Sequence, residues 1–357
     1  MEKIKKDSDG FLLNEEKDQH YDVAFLSLRL ALKAYFNTYK SVSYCLSNFI
    51  NSQCSIIKND RMYSINYIED ACEAITHFQN FAELVLKDIL RQKHILLANK
   101  LDGKKKYILD ILLDGKNITE SEIKDNITGR SIEFSETINR IETLLENKKF
   151  EHTNYDFLLL NVKWLRKLNY LRNRISHRGI YVLRYKALDV LFTKDALPFM
   201  KKVLALERYK NQRGWQFDIS SNIHLIDSMI NCYGNSYKSD KLAILKEMGR
   251  AAYNNPLVPT KNISSNFYNK DIIKRAMVLS THVLQHESNG DLKTCPVCGI
   301  KSLVQFNDFH EIEDKNGIEV YEFVYMIKCF CCSFELRGEP TGLDQMELPF
   351  DNFWHLD

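Results

Sequence analysis

Ile68-Glu69-Asp70-Ala71-Cys72-Glu73-Ala74-Ile75-Thr76-His77-Phe78-Gln79-Asn80-Phe81-Ala82-Glu83-Leu84-Val85-Leu86-Lys87 sets the class of the fold. Ile68, Ala71, Cys72, Ile75, Phe78, Ala82, Val85, Leu86 and Ile89 make one broad apolar stripe at the helical period. A helix is expected from about Ile68 to Leu97, and Glu83 four residues ahead of Lys87 adds a little support on its surface. Such a length exceeds the ordinary mean of about 11–12 residues, as bundle helices often do.

The pattern extends to both sides. Upstream, residues 21–52 read as one long helix, on Val23, Leu26, Leu30, Leu32, Tyr35 and Phe36, with no Gly or Pro to interrupt it. Downstream, residues 100–131 are polar and broken by Gly103, Gly115 and Gly129, apart from the apolar patch Tyr107–Leu113. Ser135 followed by Glu136, Ile138, Ile141, Leu144 and Leu145 starts another amphipathic helix. A fourth, Asp156–Ser176, carries Phe157, Leu160, Trp164, Leu165, Leu168, Leu171 and Ile175, and an apolar segment follows over Tyr181–Leu206. Four or five helices with short connections predict an up-and-down bundle over 1–210, with an insertion at 100–131.

Residues 211–292 predict a helical extension, with helices at Ile223–Cys232, Lys241–Tyr253 and Asp271–Gln285. From 293 to 357 the chain alternates, as in Val320-Tyr321-Glu322-Phe323-Val324-Tyr325-Met326-Ile327, which is strand-like. The expected fold class is therefore mainly α, with a small carboxy-terminal β module.

Composition bounds the function. The chain has 357 residues, 45% hydrophobic and 27% charged, which excludes a disordered chain or a fibrous repeat. The amino terminus, Met1-Glu2-Lys3-Ile4-Lys5-Lys6-Asp7, leads into no apolar block, and the longest uncharged run, Ser41–Ile57, is too polar to span a bilayer. No membrane association is expected. Nine cysteines without a secretory signal read as thiols or metal ligands, and the expected location is cytoplasmic.

Cys295-Pro296-Val297-Cys298-Gly299 and Cys329-Phe330-Cys331-Cys332 hold two C-x-x-C pairs, separated by thirty residues. Two tight turns, each bearing two thiolates, supply the four converging ligands that a tetrahedral zinc site needs. Gly299 frees the backbone for such a turn. Cys295, Cys298, Cys329 and Cys332 are the expected ligands of a structural zinc in a zinc ribbon, with Cys331 a spectator. A redox dithiol is the alternative. His282 and His286, four apart on an expected helix, have no identifiable third ligand, and Asp308, His310 and Glu311 are most simply a solvated hairpin.

Leu171-Arg172-Asn173-Arg174-Ile175-Ser176-His177-Arg178-Gly179 carries the other chemistry. Asn173 and His177 share a helical face if the helix persists that far, and Arg172 and Arg174 flank it. An imidazole moves protons near neutral pH, and a guanidinium grips a phosphate through two hydrogen bonds. Together they suit cleavage of a phosphodiester by its own 2′-hydroxyl, which restricts the substrate to RNA and needs no metal or other cofactor. A solvated helix cap is the bland alternative. Against it, Phe157–Leu188 contains no Asp or Glu but eight bases: Lys163, Arg166, Lys167, Arg172, Arg174, Arg178, Arg184 and Lys186. Removing this segment from the balance of 49 Lys+Arg against 47 Asp+Glu leaves 41 against 47. The near-neutral total thus conceals a stretch suited to a polyanion.

Arg172-Asn173 followed by His177 resembles the Arg/His motif of HEPN domains (higher eukaryotes and prokaryotes nucleotide-binding). The helix over Ala74–Lys87 looks like that family's first long helices, and Gly129-Arg130-Ser131-Ile132-Glu133-Phe134 leads into a helix before the motif in a similar way. The likeness covers roughly residues 20–205. It implies a HEPN-like bundle acting as a metal-independent endoribonuclease, of a kind met in toxin and antiviral systems. Two domains would pair as a homodimer through the bundle. His177 would move a proton or orient the 2′-hydroxyl, Arg172 would stabilise charge on the phosphate, and Asn173 would orient His177. Lys163, Arg166, Lys167, Arg174, Arg178, Arg184 and Lys186 are the expected RNA contacts, and a regulatory protein partner fits a restrained nuclease. The alternative from another class is a non-catalytic HEPN-like protein that binds RNA, nucleotide or an acidic partner. A third is a zinc-ribbon scaffold whose helices only mediate assembly.

Overall fold

A computed structural model of the chain describes residues 21–45, 63–101, 106–116, 118–119, 130–150, 153–179, 181–233, 238–257, 265–287, 291–314 and 317–338. For 21, 22, 45, 106, 153, His177, Arg178, 265–268, 287, 312–314 and 317–319 it describes the backbone alone. The helices are α1 Tyr21–Asn37, α2 Ile65–Lys93, α3 Lys106–Leu113, α4 Phe134–Glu146 and α5 Asp156–Asn173. They continue as α6 Tyr185–Val190, α7 Leu197–Leu204, α8 Leu225–Asn231, α9 Ser239–Tyr253 and α10 Ser265–Glu287. Strands β1 Leu292–Thr294, β2 Lys301–Asp314, β3 Gly317–Cys329 and β4 Glu335–Arg337 come last. The chain is mainly helical with a small carboxy-terminal antiparallel sheet, as its periodicities predict.

Two compact units divide the chain, each drawn from three separate stretches. The first comprises Met1–Leu32, Cys72–Val182 and Pro198–Trp215. The second comprises Lys33–Ala71, Leu183–Leu197 and Gln216–Asp357. The boundaries read from the sequence, at 210 and 292, do not coincide with this division.

In the first unit an aromatic core joins four helices. Phe25 of α1 packs on Phe81 of α2 with ring centroids 5.8 Å apart, and Trp164 of α5 lies between Phe78 of α2 at 6.1 Å and Phe199 of α7 at 5.3 Å. All five rings are buried, and each buried aromatic contributes about 1.5–3 kcal/mol by removal from water. Polar ties fix the periphery. Asp88 of α2 accepts from Arg208 Nε at 2.7 Å and Tyr209 Oη at 2.6 Å, while buried Arg140 of α4 donates to the Leu97 and Asn99 carbonyls.

The long helix expected over 21–52 stops at Asn37. Thr38 Oγ1 donates to the Tyr35 carbonyl at 2.6 Å, and Tyr39, Lys40 and Val42 close three-residue turns. Small polar side chains here offer the backbone an alternative to the helical ladder. Residues 46–52 of that expectation lie outside the described residues, as do 102–105, 117 and 120–129 of the insertion and the tail from 339.

In the second unit α9 is the central element. Every residue from Leu242 to Tyr253 is buried. Gly249 lets the Phe36 ring approach so closely that an added Cβ would stand 2.5 Å from it. Lys246, fully buried, pairs with fully buried Asp189 at 2.9 Å, its ammonium 3.9 Å from the Tyr185 ring centroid and 4.7 Å from that of Tyr35. Burial lowers the Lys246 pKa, and Asp189 opposes that shift. The sheet runs β1-β2-β3-β4, all antiparallel, with a register irregularity between Phe306 and Asn307. Val283 of α10 covers it through Val304, Phe306 and Met326.

Candidate functional site

The four expected cysteines converge. The sulfurs of Cys295, Cys298, Cys329 and Cys332 lie within 4.8 Å of one another, with Cys295–Cys332 and Cys298–Cys329 both at 3.6 Å. A tetrahedron with metal–sulfur bonds of about 2.3 Å has sulfur–sulfur edges of about 3.8 Å, so the cluster could hold a metal ion and its donor set is compatible with zinc. Hydrogen bonds among the four sulfurs divide them: those from Cys295 lower the Cys298 and Cys329 thiols, while burial raises Cys295 and the bond with Cys295 raises Cys332.

The two turns that carry these thiols repeat one geometry. Cys295 N–H donates to the Ile300 carbonyl at 2.9 Å, and Cys329 N–H donates to the Phe334 carbonyl at 2.7 Å. Val297 N–H and Cys331 N–H each reach back to the sulfur two residues earlier, both at 3.4 Å. After the second cysteine of each pair the backbone turns left-handed, at Gly299 (φ 73°) and at Ser333 (φ 62°). Cys331 stays outside the cluster, its amide serving the Cys329 sulfur.

The sequence did not disclose what holds these turns. Ser220 and Ser221 N–H groups donate to the carbonyls of Val297 at 2.8 Å and Pro296 at 2.9 Å. On the second turn, Arg250 of α9 donates to the carbonyl and hydroxyl oxygens of Ser333, while Glu247 accepts from Arg250 twice and from the Glu335 amide at 2.7 Å. The sulfur centre is thereby built into the second unit. Glu247 and Arg250, three apart on an expected helix, gave no sign of burial.

His282 and His286 lie with ring centroids 4.5 Å apart on exposed positions of α10. Among the described residues only the four cysteines form a metal-sized group. Asp308, His310 and Glu311 are exposed on β2, as a solvated hairpin requires.

The basic segment has a different geometry from the one expected. The α-helix ends at Asn173, and Arg174–Arg178 form a π-helical turn capped by left-handed Gly179 (φ 60°). Such turns often occur at functional positions. Arg172 Nη1 donates to Asn173 Oδ1 at 3.2 Å, so that amide oxygen serves the guanidinium. His177 lies in the π turn, where it and Arg178 are described by their backbone only. Arg174 lies over two rings, 4.1 Å from the Tyr181 centroid and 5.6 Å from that of Tyr170. The Nε–H groups of Arg172 and Arg174 are both closed off from solvent and meet no acceptor among the described residues.

The remaining expected contacts separate into groups. Lys163 and Lys167 are exposed on α5. Arg166 is exposed too, but its guanidinium is taken up by Glu142 at 2.5 Å and Asn139 at 3.0 Å. Arg184 and Lys186 belong to the second unit and not to the one that carries α5.

No family model, curated protein or solved structure matches the chain. Among the described residues, no helix is long and apolar enough to cross a membrane.

Proposed function

We propose that the chain is a metal-independent endoribonuclease of the HEPN kind, with structural zinc in the four-cysteine centre. The observation that carries this reading is the acid-free segment Phe157–Leu188 with its eight bases, whose α-helix gives way after Asn173 to the π turn that contains His177. A run of cations without acids suits a phosphate backbone. In the reaction, a base removes the 2′-hydroxyl proton and that oxygen bonds to phosphorus. The bond from phosphorus to the 5′-oxygen breaks, and the leaving oxygen takes up a proton. The products are a 2′,3′-cyclic phosphate and a 5′-hydroxyl. His177 is the proton carrier and Arg172 stabilises charge on the phosphate. A homodimer through the bundle and a role in antiviral defence or as a toxin accompany the reading.

The test is incubation of the purified chain with a mixed RNA pool in excess EDTA, beside His177→Ala and Arg172→Ala. Cleavage by the parent that both variants lose is the expected result. If all three bind RNA equally and none cuts, the segment is a binding site only.

A further inference from the structure

The side chains around Arg174 extend this site beyond the phosphate, an extension that rests on the ribonuclease reading. Tyr170, in the last α-helical turn before the motif, is 57% exposed. It is not loose, because the Arg174 guanidinium lies over it and more closely over Tyr181. A cation placed over a ring fixes its orientation by electrostatic attraction. Lys163 and Lys167 stand seven and three residues before Tyr170, on the same exposed side of α5. Leu160, 86% exposed, continues that stripe. A ring held by a guanidinium at the end of a row of cations has the elements of a nucleotide site. The cations follow a sugar-phosphate backbone and the ring takes a base.

We infer that Tyr170 is the stacking platform for an unpaired base of the bound RNA, and that Arg174 is the positioning residue for the platform. A base inside a duplex is already stacked on both sides and cannot use such a ring, so the platform selects unpaired nucleotides.

The test is fluorescence anisotropy with the full chain, using a labelled mixed-sequence 12-nucleotide RNA and a blunt duplex of the same length. His177→Ala serves as background so that the RNA stays intact. Tyr170→Ala weakens binding of the unpaired RNA about tenfold, the usual effect of losing one base–aromatic stack. It leaves duplex binding unchanged, and Tyr170→Trp restores the affinity. Recovery with another aromatic separates stacking from a structural role, and at an exposed position neither change disturbs the core. If Tyr170→Ala binds the unpaired RNA as the parent does while Arg172→Ala does not, the platform is wrong and the phosphate site stands. If the parent binds neither RNA, both readings fall together.

Discussion

Ser333 in the second cysteine turn occupies the place that Gly299 occupies in the first, and both take left-handed backbone. The two positions are not equivalent in space. A Cβ on Gly299 would stand 2.5 Å from Ser220 Oγ, whereas Ser333 already carries its Cβ and engages Arg250 through both of its oxygens. Gly299→Ala should therefore lower stability by about 1–3 kcal/mol through backbone strain and crowding. Ser333→Gly keeps the carbonyl acceptor and relieves the strain, so it should stay within about 1 kcal/mol of the parent. Denaturant titration of the two variants compares them directly.

The four-sulfur cluster predicts the metal content. Elemental analysis should give about one zinc per chain, abolished by Cys295→Ser and retained by Cys331→Ser. Chelation should affect more than the sheet, because 220–221 and α9 both hold the cysteine turns. Hydrogen exchange should rise in those segments together with 292–338, and exchange confined to 292–338 would contradict this coupling.

The buried pair Lys246–Asp189 should behave non-additively. Lys246→Met alone leaves a carboxylate buried without its cation and should cost about 3–5 kcal/mol. Combining it with Asp189→Leu removes both charges, and most of that loss should be recovered. Thermal unfolding of the two single variants and the double variant measures the coupling.

Acid sensitivity should trace in part to Glu335. Burial pushes its carboxyl up, but Lys40 at 2.8 Å and Arg337 at 2.8 Å outweigh that, and its pKa lies below the usual value. A carboxyl lowered in the folded state adds stability that is present above its unfolded pKa of about 4.3. That stability is lost as pH falls through the folded value. Glu335→Gln should flatten the acid limb of a stability-against-pH curve below about pH 5 and leave its shape near neutrality unchanged.

The parts of this structure that were legible in the sequence are those where one local period governs. The stripe from Ile68 to Ile89 gave α2 nearly to its ends, and the C-x-x-C spacing gave the four clustered sulfurs, with Cys331 outside them. Lys246, Glu247 and Arg250 were not legible in their true role, since three charges on a helix normally mark a solvated face. Here each charge is buried against a partner far along the chain or three residues away, and only the tertiary structure supplies those partners. The π turn after Asn173 was equally hidden. It depends on how the backbone ladder closes before Gly179, which residue types do not fix. Arg166 read as a free cation because its partner Glu142 sits on a different helix.

The interleaving of the two units also sets a timetable for synthesis. All stretches of the first unit have been made once Trp215 has left the ribosome. Tyr35, Phe36 and Tyr67 were made long before, but their unit is incomplete until α9 and both cysteine turns emerge. At about 5–20 residues per second, that is a wait of roughly tens of seconds for large aromatic rings whose covering is still unfinished. During translation, these early residues of the second unit are where a chaperone has most to shield.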